Sequence, residues 1–335
     1  MTSATLGALQ EALLGWYARH CRQLPWRQTQ DPYAIWVAEV MLQQTQVSTV
    51  IPYYERFLRQ FPSVAALAAA PLEAVLKAWE GLGYYARARH LHRAAQVLVR
   101  EHGGRLPQTR EALLRLPGIG KYTAGAIASI AFGLDEPVLD GNVTRVLARL
   151  FAVQGDIRHA QTQQHLWDLA RALVPPGAGR PFQPGPDGSG RHPLPAEAAA
   201  VLSLPSPGAL PGRAQGAPES LPRRARRKPL PHHEAAAAVV WQDGRVLLHR
   251  RAPTGLLGGL WDFPSGLLAA GESPAAGAVR AVREQLGMAV RVQHHLATVQ
   301  HGYTHFRLTL HAFACVPSRT SRHRARTWCG WRRRT

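Results

Sequence analysis

The chain has 335 residues, 46% of them hydrophobic, and 40 Lys+Arg against 21 Asp+Glu give it a formal net charge of +19. That length supports two domains with real cores, and the basic excess fits a polyanionic partner. Three cysteines far apart, Cys21, Cys315 and Cys329, argue against a disulfide framework and for a reducing, cytoplasmic location. No apolar run reaches the roughly 18 residues of a membrane span, and no signal-peptide pattern opens the chain.

In chain order, Leu6, Leu9, Leu13, Leu14 and Tyr17 predict an amphipathic helix over 5–20. Turn-like Leu24-Pro-Trp-Arg27 and Asp31-Pro-Tyr33 follow. Ile35, Val37, Val40 and Met41 then predict a helix in which Glu39 is the only charge. Glu39 has two readings. It is an exposed-face residue, or a desolvated carboxyl that can hold a proton as a general acid. The amides of Gln43-Gln44-Thr45-Gln46 suit base edges or a polar helix end.

Residues 64–79 predict one helix with Trp79 on its apolar face. Gly81-Leu-Gly-Tyr-Tyr-Ala-Arg-Ala-Arg89 places Tyr84, Arg87 and Arg89 behind a glycine turn. Such residues can stack on bases and pair with phosphates, or form an ordinary basic helix face. A helix over 89–101 ends at Gly103-Gly104.

The chain is organised around Leu116-Pro-Gly-Ile-Gly-Lys-Tyr-Thr-Ala124 and Leu139-Asp-Gly-Asn-Val143. The pattern is helix, glycine turn, small-residue helix over 123–131, acidic loop, helix. Gly118 and Gly120 leave N–H groups uncovered at a helix start, where a phosphate binds. Asp140 lies just before Asn142 at the next helix start. Leu166, Leu169, Leu173 and Val174 give one more helix, closed by Pro175-Pro176.

Residues 177–231 are rich in Pro, Gly, Ala and Arg, without periodicity. An α/β pattern follows. Strands over 234–240 and 245–250 flank an Asp243-Gly244 hairpin turn. A helix over 273–286 and strands near 290–299 and 306–315 complete it. The segment 317–335 is Arg-rich and is expected to be unstructured.

Residues 1–176 resemble the helix-hairpin-helix base-excision glycosylases, specifically the adenine DNA glycosylase family. The resemblance rests on Pro25-Trp26, Glu39-Val-Met-Leu-Gln-Gln-Thr-Gln-Val47, the Gly81–Arg89 stretch, Leu116–Ala124 and Leu139–Val143. It implies a mainly α domain of two helical subdomains that removes adenine mispaired with 8-oxoguanine or guanine in double-stranded DNA. The adenine would be flipped into a pocket. Glu39 would protonate the leaving base and Asp140 would stabilise the sugar cation, with Asn142 orienting it. Tyr122 stands where the related endonuclease III family carries a lysine nucleophile, which implies a monofunctional enzyme. Gln43, Gln44, Gly81, Tyr84, Arg87, Arg89, Gly118, Gly120 and Lys121 would contact DNA. Residues 232–316 resemble a Nudix-like domain that reads 8-oxoguanine, with Thr304 and His305 as the expected contacts. Of the Nudix metal motif, Gly266, Glu272, Arg280, Glu284 and Gly287 fit, but Ala281 and Gln285 replace two glutamates, so no Mg²⁺-dependent chemistry is expected. The resemblance further implies a monomer in the bacterial-type cytoplasm, associated with the nucleoid.

The family carries a 4Fe–4S cluster on four cysteines after the last helix, and this chain has no cysteine between Cys21 and Cys315. The segment has two readings: a disordered linker, or a cluster loop displaced by one base from about residue 180. In the shifted frame, codons at Leu194, Val201, Leu204 and Leu210 can each become cysteine at the family's spacing. Three functions stay open on sequence alone: an adenine-specific glycosylase, an endonuclease III-like glycosylase/lyase, and a catalytically impaired DNA-binding product of a frameshifted gene.

Overall fold

The computed structural model describes residues 3–20, 22–175, 177, 221–223, 229–252, 258–318 and 328–329. The chain divides into two compact units, Met1–Ala225 and Arg226–Thr335. Described residues of the first unit form α1 (Ser3–His20), a 3-10 turn (Pro25–Arg27), α2 (Pro32–Leu42), α3 (Val47–Gln60), α4 (Val64–Ala69) and α5 (Leu72–Ala78). They continue with α6 (Ala86–His102), α7 (Arg110–Leu113), α8 (Lys121–Phe132), α9 (Gly141–Leu150) and α10 (Ala160–Leu173).

Local chemistry sets these boundaries. Asp31 caps α2 by accepting the Tyr33 N–H, and Pro32 occupies the first turn, where its missing N–H costs nothing. The single helix expected over 64–79 is two helices. Pro71 disfavours helical geometry at Ala70, so α4 stops at Ala69 and α5 begins after the proline. Gly103, in the left-handed region, closes α6.

Every residue from Tyr33 to Met41 is buried, so α2 has no solvent face. It packs against α3, α6 and α8. A helix apolar all round belongs inside a domain, and this one carries Glu39 into the interior. Trp36 of α2 is fully buried, as are Phe57, Leu67, Trp79, Leu91, Leu98 and Ile127 of the first unit. A second core joins Leu9 of α1 to Val143, Val146 and Leu147 of α9 and to Leu166, Ala170 and Leu173 of α10. These two cores are the two helical subdomains. Each fully buried leucine contributes about 2 kcal/mol. Leu221 packs into the second core, its carbonyl accepts the Arg149 Nε–H, and the Arg223 carbonyl accepts the Ile157 N–H. Part of the stretch 177–231 therefore docks on the first unit instead of serving only as linker. The codons singled out at 194–210 lie outside the described residues.

The second unit contains β1 (His232–Gln242), β2 (Arg245–Leu247), β3 (His249–Arg250), β4 (Trp261–Asp262), β5 (Ser265–Leu267), α11 (Pro274–Leu286), β6 (Val290–Gly302), β7 (Arg307–Pro317) and β8 (Trp328–Cys329). The main sheet runs β6-β7-β1-β2-β8, with β5 on β1, while β3 and β4 form a separate pair. β1 and β7 are parallel; the other pairings are antiparallel. Ala278 and Val282 of α11 pack with Ala236, Ala238 and Val240 of β1 and Phe313 of β7. The tail expected to be unstructured supplies β8, paired with Val246 and Leu247. The open edge of β2 offers unpaired backbone groups that such a strand satisfies.

Candidate active site

Glu39 is 6% exposed on the buried helix α2. Burial pushes its carboxyl up to about 7; nearby Asp140 pushes the same way, while a hydrogen bond from Tyr122 and the charge of Arg27 pull against them. Of the two readings of Glu39, the desolvated one holds. Its Oε2 meets no donor among the described residues. The Tyr122 hydroxyl is held protonated by the Glu39 charge and by burial. A carboxyl of this kind carries a proton near neutral pH and can release it to a substrate atom.

Asp140 ends the loop after α8 and caps α9. Its Oδ1 accepts the N–H of Asn142 at 2.9 Å and of Val143 at 2.7 Å. Asn142 Nδ2 donates to Asp140 Oδ2 at 3.4 Å, and Asn142 Oδ1 accepts from Arg145 at 2.9 Å. The carboxylate is thus fixed at the positive end of a helix. Pro137 comes close to α8 at Gly125, where a Cβ would sit 2.6 Å from the Pro137 carbonyl oxygen. That close approach brings the acidic loop against the helix that carries Tyr122. The structure therefore brings Glu39, Tyr122 and Asp140 together, from three separate stretches of sequence.

The hairpin turn precedes α8. At Gly118, φ is +78° and a Cβ would lie 2.5 Å from the Cβ of His90, so only glycine fits. Gly120 caps α8 with open space around it, and Lys121 is exposed on the first turn. Gln43, expected to face DNA, is partly buried and donates through Nε2 to Thr123 Oγ1 at 3.1 Å, which ties the end of α2 to α8. Gln44 and Tyr84 are exposed and hold positive φ of 60° and 49°. A left-handed tyrosine is a true backbone outlier. Gly81 sits under the Tyr53 hydroxyl, where a Cβ would clash. Arg89 is half-buried on α6.

Arg87 is a correction. Expected to meet DNA, it is 8% exposed, and its guanidinium is spent on the protein's own backbone. A basic residue in a helical pattern gives no sign of which way it points, so the sequence could not separate a buried cation from a surface one. Sequence reasoning also missed Arg27, whose charge bears on Glu39 and Tyr122, and Arg145, which holds Asn142. The first stood in plain view beside Pro25-Trp26; the second lies one helical turn after Asn142.

In the second unit, Thr304 and His305 sit on the β6–β7 turn, both exposed, with Thr304 Oγ1 3.4 Å from His305 Nδ1. The His305 ring packs edge-on against Phe306. The remnant Nudix carboxylates share one guanidinium. Arg280 donates to both oxygens of Glu272 at 2.8 Å and to Glu284 at 3.0 Å.

The family's 4Fe–4S cluster needs four thiolates. The chain has three cysteines in all. Cys315 lies buried in β7, in the second unit, with its thiol pushed up to about 11 by burial. Four ligands cannot be gathered from this chain, so its residues do not fit the cluster.

A buried acid, a helix-capping aspartate and a glycine hairpin thus meet on one helical scaffold. Residues 37–172 match the family described as HhH-GPD superfamily base excision DNA repair protein, and residues 235–332 match the NUDIX domain. The chain is 37% identical to the adenine DNA glycosylase of Mus musculus, covering 98% of this chain and 75% of that one. It is 36% identical to the adenine DNA glycosylase of Homo sapiens, over 92% of this chain and 67% of that one. A solved thermostable thymine-DNA glycosylase is 31% identical, with a TM-score of 0.48, over 51% of this chain and 79% of that one. The chain belongs to the adenine DNA glycosylase family, whose members hydrolyse N-glycosyl bonds in DNA.

Proposed function

We propose that the protein is a monofunctional glycosylase, acting as a monomer in the bacterial-type cytoplasm, that removes adenine mispaired with 8-oxoguanine or guanine in double-stranded DNA. The observation that carries this reading is the buried carboxyl of Glu39 held up to about 7 beside Tyr122 and Asp140. With the adenine flipped out of the stack, Glu39 donates its proton to N7 of the leaving base. Loss of the base leaves positive charge on the sugar, and the carboxylate of Asp140, oriented by Asn142, stabilises it. Glu39, now ionised, takes a proton from the attacking water. Tyr122 places the acid by its hydrogen bond and has no amine with which to form a Schiff base. Gly118, Gly120 and Lys121 grip phosphate at the start of α8. Gln43, Gln44, Gly81, Tyr84 and Arg89 line the remainder of the DNA-facing side. Thr304 and His305 contact 8-oxoguanine.

Single-turnover release of adenine from a duplex with one A:8-oxoguanine pair tests this reading. The wild-type chain releases free adenine, Glu39→Gln does not, and borohydride traps no covalent adduct. A trapped adduct would place the enzyme with the lyases. No release by the folded wild-type chain would leave a DNA-binding protein without catalysis.

A further inference from the structure

Arg87 is the most heavily bonded side chain near the site, and its partners lie in two separate segments. Nη1 donates to the carbonyls of Val40 at 3.0 Å and Met41 at 2.8 Å, and to that of Gln43. Nη2 donates to Thr45 Oγ1 at 3.1 Å and to the carbonyls of Leu82 and Gly83 at 3.2 and 3.3 Å. The first set is the C-terminal end of α2, one to four residues beyond Glu39, together with the loop that follows it. The second set joins Thr45 of that same loop to Leu82 and Gly83 of the glycine turn that precedes Tyr84. No carboxylate is among these partners, and burial lowers the guanidinium to about 10. A buried cation is tolerated here because it faces the negative end of a helix and a ring of carbonyl dipoles. The ring of Tyr84 lies over the same guanidinium, 5.5 Å from its centre.

Two exposed non-glycine residues with positive φ flank this clasp. Gln44 sits between Gln43 and Thr45, and Tyr84 follows Gly83. Strained residues persist only where the surroundings hold them, and Arg87 bonds the residues on both sides of Gln44 and the one before Tyr84.

We propose that Arg87 is a positioning residue. Its guanidinium locks the exit of α2 to the Gly81–Tyr84 turn, so that Glu39 on one side and the exposed Gln44 and Tyr84 on the other keep a single geometry. Arg87 touches no substrate in this account; it acts through Glu39, Gln44 and Tyr84. The proposal rests on the glycosylase reading for its effect on rate, but the mechanical coupling stands apart from that reading. Lysine cannot replace arginine here, because one ammonium offers three donors from a single point and cannot span both segments.

The test compares the full-length wild-type chain with Arg87→Lys and with Leu91→Ala, a truncation of a buried residue on the same helix that lies outside both segments. Hydrogen exchange should speed up together in peptides 40–46 and 80–86 of Arg87→Lys, and in neither for Leu91→Ala. With saturating enzyme, well below the melting temperature, Arg87→Lys should lose on the order of 100-fold in single-turnover adenine release, as misplacement by about an ångström does. Leu91→Ala should lose less than about threefold, as a change confined to packing remote from the reacting groups. Exchange unchanged in either peptide overturns the coupling, whatever the activity. A full rate in Arg87→Lys with both peptides loosened overturns the positioning role. If the wild-type chain itself releases no adenine, the glycosylase reading fails while the exchange comparison still decides the coupling. Should Arg87→Lys fail to fold, Thr45→Val removes one of the six acceptors that share the four Nη hydrogens, and its exchange in 80–86 is read in the same way.

Discussion

The molecule holds two sets of carboxyl groups in opposite surroundings. In the first unit, Glu39 is buried and its Oε2 meets no donor among the described residues. In the second, Glu272 and Glu284 share Arg280, and the bonds from that guanidinium hold Glu272 down to about 2. The first arrangement keeps a proton available near neutral pH; in the second, one guanidinium is shared by two carboxylates and occupies both oxygens of Glu272 and one of Glu284. What separates a catalytic carboxyl from a structural one here is the partner left unfilled.

The largest effects should fall on the first unit. Glu39→Gln should slow adenine release by about a thousandfold or more, the range of general acid catalysis. Retention of even a tenth of the rate in a single-turnover assay would remove Glu39 from the chemistry. Asp140→Asn should lose on the order of 100-fold by deleting charge at the sugar. Asparagine caps helices as well as aspartate does, so its melting temperature should hold, whereas Asp140→Ala should also lose about 1 kcal/mol of stability. Calorimetry on the pair separates the two roles of Asp140.

Stability should move opposite to activity at Glu39. Its ordinary value of 4.5 is raised to about 7 on folding. The neutral form therefore stabilises fully below pH 4.5, and that contribution is lost as pH rises through 7. Glu39→Gln should accordingly be more stable than wild type at pH 8 by about 3 kcal/mol, and equal to it near pH 4. Denaturant unfolding at the two pH values reads the difference, and equal stability at both would mean that Glu39 is not desolvated.

The smallest effects belong to the second unit and to metals. Chelator or added Mg²⁺ should change adenine release less than about twofold, and no pyrophosphate should appear from 8-oxoguanine nucleotides, since Ala281 and Gln285 remove two of the motif's carboxylates and the remaining two share Arg280. Elemental analysis should find well under one iron per chain, on the order of contamination, because four thiolates are lacking. A stoichiometric cluster would show that the ligands come from a reading frame other than the one written here.

Much of this was legible in the sequence. Asp140 before Asn142 announced a capped helix, and Gly118 announced a turn that no side chain can enter. Burial was not legible. Glu39 and Arg87 each stand in helical patterns whose solvent face cannot be seen without the helices that cover them. α2 has no such face, which resolves Glu39 as an acid, and the guanidinium of Arg87 points inward, which takes it off the DNA. Pro71 was a visible break that the apolar periodicity over 64–79 concealed. β8 could not be seen, because a two-residue strand has no alternation and exists only through the open edge of β2.

The most direct test of the central claim is the pH dependence of adenine release under limiting enzyme, which reports the acid of the free protein. From neutral pH upward the wild-type rate should fall with a single ionisation near 7, and that descending limb should be missing from the residual activity of Glu39→Gln. A rate that stays level through pH 8, or a descending limb that survives in Glu39→Gln, would contradict it.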